Sequence, residues 1–130
     1  MAAVALDADV LIAFLDASDA QHDSSIDALR PRLASGEQIL IAASVYAEIL
    51  VRPLQRGSAH TVDAFIAAIG ATIVPIDRDV ARRAAHLRGA RRTLRLPDAI
   101  SLATALVSNA DLVTLDRRLA KTAELEHPTH

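Results

Sequence analysis

The chain has 130 residues, 52% of them hydrophobic, and 14 lysines and arginines against 16 acidic residues, a formal net charge of -2. That length supports one domain with a sizeable core and not two, so residues 1–130 are read as a single domain. Without cysteine, disulfide scaffolds, zinc fingers, thiol nucleophiles and cysteine-held clusters are excluded, and 2% aromatics are too few for base-stacking sheets.

Ala3 to Leu6 reads as a buried strand, followed by helical Val10 to Leu15. Asp7 and Asp9 interrupt the N-terminal apolar run, which also lacks a basic start, so no secretory signal is expected. Between Asp19 and Leu33, the spacing of Ile26, Leu29 and Leu33 predicts one face of a helix that Gly36 ends. Gln38 to Ala42 is a second strand, and Ser44 is a candidate cap for a helix running to about Pro53. Thr61 to Ala71 places Val62, Phe65, Ile66 and Ile69 on one helical face, closed by Gly70, and Thr72 to Ile76 is a third strand. A long helix begins at Asp77 or Asp79, turns Val80, Ala84 and Leu87 inward, and ends before Pro97. Pro97 opens the next helix, which runs to about Asn109. Asp111 to Leu115 is a fourth strand and Arg117 to Ala123 a last helix, leaving 124–130 as a weakly specified tail.

Short, nearly all-apolar strands separated by helices predict a parallel sheet covered on both faces, an α/β domain. Ligands of such sheets bind outside the carboxyl ends of the strands. No uncharged stretch reaches the about 18–20 apolar residues of a membrane span, and the expectation is a soluble cytoplasmic protein.

Four carboxylates stand among apolar neighbours. Asp7 and Asp116 directly follow the first and fourth strands, Asp98 lies in the first turn of a helix, and Glu48 lies about one turn into another. Each has an ordinary explanation. Asp98 suits a helix N-terminus, Asp7 and Asp116 can cap the loops after their strands, and Glu48, with little surface expected around it, can pair with Arg52 or Arg56. The topology nevertheless sends all four to one sheet edge, with no lysine nearby to neutralise them. A divalent cation is the natural counter-charge, and hard oxygen ligands favour Mg²⁺, with Mn²⁺ as a substitute.

These residues resemble the motifs of PIN-domain ribonucleases. Leu6-Asp7-Ala8-Asp9-Val10-Leu11-Ile12 is similar to the family's opening motif and Ser44-Val45-Tyr46-Ala47-Glu48-Ile49 to its second. The stretch from Asp98 to Leu106 resembles the third, and Leu112-Val113-Thr114-Leu115-Asp116 the fourth. The resemblance covers essentially the whole chain, and at this size it is to the toxins of VapBC-type toxin–antitoxin pairs. It implies a PIN-like three-layer α/β/α sandwich with a short central parallel sheet. It also implies a magnesium-dependent endoribonuclease, usually dimeric and held inactive by a cognate antitoxin. Carried over, Asp7, Glu48, Asp98 and Asp116 are the catalytic and metal-holding residues. Thr114 supports them through its hydroxyl, and Asp9 is a supporting or supernumerary carboxylate. Bound metal would activate a water against the scissile phosphate and stabilise the leaving 3′-oxygen, giving 5′-phosphate and 3′-hydroxyl ends. The chain departs from the pattern at Ala8, where the family often has Thr or Ser, and at Leu119, which replaces a frequent Phe. A clear fifth strand is also missing.

The RNA substrate needs a positive surface. Seven of the thirteen arginines fall between Arg78 and Arg95. On one helix Arg88, Arg92 and Arg95 would share a face leading toward Asp98, so Arg88, Arg91, Arg92 and Arg95 are the candidate RNA contacts, with a solvated helix face as the alternative. His22, His60, His86, His127 and His130 lack metal-ligand spacing and read as surface residues. No cofactor-binding loop is present. Two other functions compete with the ribonuclease. One is a catalytically inactive PIN-like module that binds RNA or protein. The other is a haloacid-dehalogenase-type phosphatase with Asp7 as nucleophile and Asp9 as acid/base, for which Lys121 is the only available lysine.

Overall fold

The computed structural model describes residues 2–127; the end of the predicted tail, with His130, lies outside them. The chain runs β1 (Ala3–Leu6), α1 (Ala8–Leu15), α2 (His22–Ala34), β2 (Gln38–Ala42), α3 (Ala43–Arg56) and α4 (Ala59–Ala68). It continues through β3 (Thr72–Val74), α5 (Arg78–Ala90), α6 (Leu96–Val107), β4 (Asp111–Val113) and α7 (Arg117–Glu126). The strands pair in parallel in the order β3-β2-β1-β4. Successive strands step outward from β1 on one side, and the chain then returns to place β4 on the other. β1 and β4 therefore flank the point where strand order reverses, the place where such sheets open a crevice.

Strand alternation builds two different faces. Val4, Leu6, Ile39 and Ile41 point into the larger core with Leu11, Leu29, Val45, Ile49, Val62 and Ile66 from α1–α4. Ala3, Ala5 and Leu40 point the other way, onto Ala105 of α6 and Ala110. The small side chains let α6 lie close to β1. Its residues Ala99 and Ser101–Ala105 are buried, and a further cluster of Val80, Ala84, Leu87, Leu102, Leu119 and Ala123 holds α5, α6 and α7 together. Helices on both faces make the α/β/α sandwich, and no fifth strand occurs among the described residues. None of the described helices is long and apolar enough to cross a membrane.

Several element boundaries differ from expectation. The predicted long helix divides, because α5 stops at Ala90, Arg91 is extended, and α6 starts only after Arg95. Gly89 weakens the end of α5, and Leu94 in the intervening turn is buried against the α5–α7 cluster, which fixes the break. Arg88, Arg92 and Arg95 thus share no helical face. Ser44 caps nothing: β2 runs straight into α3, so the cap position falls on Ala42, and the buried Ser44 hydroxyl has no hydrogen-bond partner among the described residues. Pro53 lies inside α3, which ends instead at Gly57 in the left-handed region (φ 72°). The helix of the predicted tail continues to Glu126. His22 is not a surface residue; its Nδ1 lies 2.7 Å from the Ala13 carbonyl and ties α2 to α1. His127 is likewise half-buried, while His60 and His86 are exposed.

Candidate active site

Asp7 directly follows β1 and caps α1, so its carboxylate is fixed at the carboxyl end of that strand. It is 7% exposed. Its Oδ1 accepts from the Ala8 N–H (2.9 Å) and the Ser101 hydroxyl (3.1 Å), while its Oδ2 faces the Thr114 hydroxyl (2.9 Å). Strand register explains the last contact. Leu6 pairs with Val113, and the Asp7 N–H continues the ladder to the Val113 carbonyl (3.0 Å), which puts Thr114 beside Asp7. Burial pushes the Asp7 carboxyl above its usual range and the Asp9 charge adds to this, against the lowering effect of the Thr114, Ala8 and Ser101 hydrogen bonds.

Asp9 sits across the same hydroxyl. Thr114 Oγ1 is 3.1 and 3.3 Å from its two oxygens, and both accept from the Leu115 N–H at 3.2 Å. One hydroxyl proton therefore serves two carboxylates. The Thr114 oxygen in turn accepts from the Asp116 N–H (3.1 Å). Thr114 joins Asp7, Asp9 and the start of α7.

Glu48 is exposed, against the expectation of little surface around it, and it pairs with neither Arg52 nor Arg56. Its carboxyl is raised by partial desolvation and then by the charges of Asp7 and Asp98, with Arg95 opposing and Asp9 adding. Four carboxylates thus lie in one another's field. Asp98, in the first turn of α6, is held by the Arg95 guanidinium (3.4 Å). Arg95 is a local cation that the sequence had not suggested as a partner for the acidic site.

Asp116 takes the capping role. Its Oδ1 accepts from the Arg118 and Leu119 N–H groups (2.9 and 3.1 Å), and the residue is exposed. It nonetheless shares a cleft of about 500 Å³ with Asp98, Arg91, Arg95, Arg118, Leu94 and Leu119. Of the candidate RNA contacts, Arg91 and Arg95 line this cleft, whereas Arg88 and Arg92 do not. Lys121 lies outside it too.

A PIN-domain profile matches residues 4–125. The chain belongs to the PIN-domain family. Comparison with the curated proteins gives no match. Among solved structures, a toxin–antitoxin complex from Klebsiella pneumoniae is 26% identical over 88% of this chain and 87% of that one, with a TM-score of 0.72. The sarcin–ricin-loop-cleaving toxin VapC20 of Mycobacterium tuberculosis shares the fold at 17% identity, with a TM-score of 0.69 over 92% and 95% of the two chains. So does VapBC2 of Rickettsia felis, bound to a DNA fragment from their promoter, at 16% identity and a TM-score of 0.71 over 91% of each chain.

The acidic site of this PIN domain suits a hard divalent cation in its chemistry. Its donors are carboxylate oxygens, and desolvation first, then the neighbouring carboxylate charges, raise the pKa of Asp7 and Glu48. Among the described residues, no three carboxylate or imidazole groups are already drawn together tightly enough to hold a metal.

Two residues of the PIN domain escaped the sequence reading. Ser101 is one; its signal was a hydroxyl on the face of α6 three residues after Asp98, in a helix otherwise apolar there. Arg118 is the other, two residues beyond Asp116. The cap at Asp116 gives a direct expectation. Asp116→Asn keeps an accepting oxygen and should leave metal-free stability within about 0.5 kcal/mol, whereas Asp116→Ala should cost about 1 kcal/mol. Thermal melts in EDTA check both values; equal stabilities would remove the cap from the account.

Proposed function

We propose that this PIN domain is a metal-dependent endoribonuclease, the toxin of a toxin–antitoxin pair, hydrolysing RNA phosphodiester bonds with Mg²⁺ or, in its place, Mn²⁺. The observation carrying this is the convergence of Asp7, Glu48 and Asp98 within reach of one another's charge near the carboxyl end of β1, with Asp98 and Asp116 lining one cleft. A divalent cation bound there would neutralise the scissile phosphate and acidify a water. Asp7, Glu48, Asp98 and Asp116 would hold it. Thr114, Ser101 and the Ala8 N–H fix the Asp7 oxygens, so that ligand is pre-oriented. Of these carboxylates, Glu48, exposed and raised in pKa mainly by desolvation, would be the one to accept the proton of the attacking water.

An antitoxin is the proposed protein partner, in keeping with the toxin–antitoxin complexes that this chain resembles. Ile12, Leu15 and Val51 are exposed along a groove that includes Glu48, an apolar surface of the kind partners cover. A homodimer, as the family resemblance implies, and a cytoplasmic setting, as the sequence pattern suggests, complete the proposal. The phosphatase reading loses support, because Lys121 is exposed on α7 and outside the Asp98–Asp116 cleft.

The test is cleavage of structured RNA by the purified chain. Mg²⁺ or Mn²⁺ should permit cutting, excess EDTA should stop it, and p-nitrophenyl phosphate should remain intact. Full cleavage in EDTA defeats the metal reading. RNA binding without cutting in either metal favours the inactive module.

A further inference from the structure

We infer that Arg118, with Arg95 across the same cleft, binds an RNA phosphate flanking the scissile bond. This rests on the endoribonuclease reading and assigns it a substrate contact that none of the four sequence motifs contains. The cleft holds three arginines, and their surroundings separate them. Arg91 is engaged by Glu126, to whose Oε1 it donates from two nitrogens at 2.9 and 3.3 Å. Arg95 is 78% exposed and reaches Asp98 Oδ2 at 3.4 Å, a loose pair that a phosphate can replace. Arg118 has no carboxylate partner among the described residues, although Asp98 and Asp116 line the same cleft. Among the described residues lining this cleft, it is the arginine without a carboxylate partner.

The backbone explains why. The Arg118 N–H is bound by Asp116 Oδ1, which fixes the start of its side chain at the cleft wall, and the Thr122 hydroxyl bonds the Arg118 carbonyl. The guanidinium itself is left to the solvent. Leu94 and Leu119 also line the cleft but are buried, so the surface it offers a ligand is mainly polar. A polar cleft carrying arginines suits a phosphate seated on the guanidinium groups. An acidic centre that must attract a polyanion gains most from a cation placed just beyond its carboxylates.

The experiment compares the wild-type chain with Arg118→Ala, Arg118→Lys and Arg30→Ala, the last an exposed arginine on α2 outside the cleft. Affinity for a single-stranded RNA oligonucleotide is measured against salt in EDTA, and kcat and KM separately in Mg²⁺. Arg118→Ala should weaken affinity about 10-fold or more. It should also reduce the slope of log affinity against log salt by about 0.7. KM should rise more than kcat falls, while Mg²⁺ affinity of the free protein is unchanged. Arg118→Lys should restore the slope and part of the affinity, and Arg30→Ala should match wild type. An Arg118→Ala protein with wild-type slope and KM overturns the assignment. The endoribonuclease reading fails separately, if wild type does not cut RNA in Mg²⁺; the binding slope still decides whether Arg118 holds a phosphate.

Discussion

Asp7→Asn is expected to lower RNA cleavage by more than about 100-fold, because replacing residues that only support a metal ligand already costs about 10–100-fold. The same substitution should make the metal-free fold more stable. An Asn oxygen can keep the Ala8 and Ser101 contacts, and its NH₂ can donate to Thr114 Oγ1, whose proton then turns to Asp9. What disappears is a buried negative charge. The Asp7 carboxyl is raised from 3.8 in the fold, so the folded chain holds that proton more tightly than the unfolded one. Ionised Asp7 therefore destabilises the fold at neutral pH. The penalty is absent below pH 3.8 and grows as pH rises from there through the raised folded value. In EDTA at pH 7, Asp7→Asn should be more stable than wild type, and the gain should shrink as pH falls. Melts across pH measure this directly. A variant less stable than wild type at pH 7 would mean that the site's hydrogen bonds outweigh its desolvation.

Thr114→Val should act in the opposite sense on stability and in the same sense on activity. It keeps shape but removes the one hydroxyl shared by Asp7 and Asp9 and accepting from the Asp116 N–H. Asp7 Oδ2 then loses its donor in a buried setting, at a cost of about 1–3 kcal/mol. Metal affinity and cleavage should fall about 10–100-fold, since the orientation of Asp7 and the start of α7 both depend on this group. Thr114→Ser should restore most of both properties. Wild-type cleavage by Thr114→Val would leave Thr114 with a structural role only.

The fold was legible in the sequence where periodicity was unambiguous. Strand β2 and the buried trio Val80, Ala84 and Leu87 appear where the pattern placed them. It was less legible where local chemistry yields to packing. Leu94 reads as one more position in a basic helix, yet its burial makes the turn that removes Arg92 from the cleft. Strand order was not readable either, because a run of apolar residues does not say which neighbour it pairs with. That order turns the positions of Asp7 and Asp116 into a crevice between β1 and β4. Of the carboxylates, Asp7 is buried as its neighbours suggested. Glu48 and Asp116 are exposed because the helices carrying them begin at the open edge.

The Thr114–Asp7 contact joins positions 107 residues apart, one just after β1 and the other just after β4. During translation, a growing chain that has not yet produced β4 can hold Asp7, Glu48 and Asp98 but has no strand to set beside β1. Thr114, the α7 start and the basic wall at Arg118 all arrive afterwards. For the proposed ribonuclease, made in contact with messenger and ribosomal RNA, that timing would matter. Long-range strand closure is slow by nature, so the site would be completed only after β4 has been made.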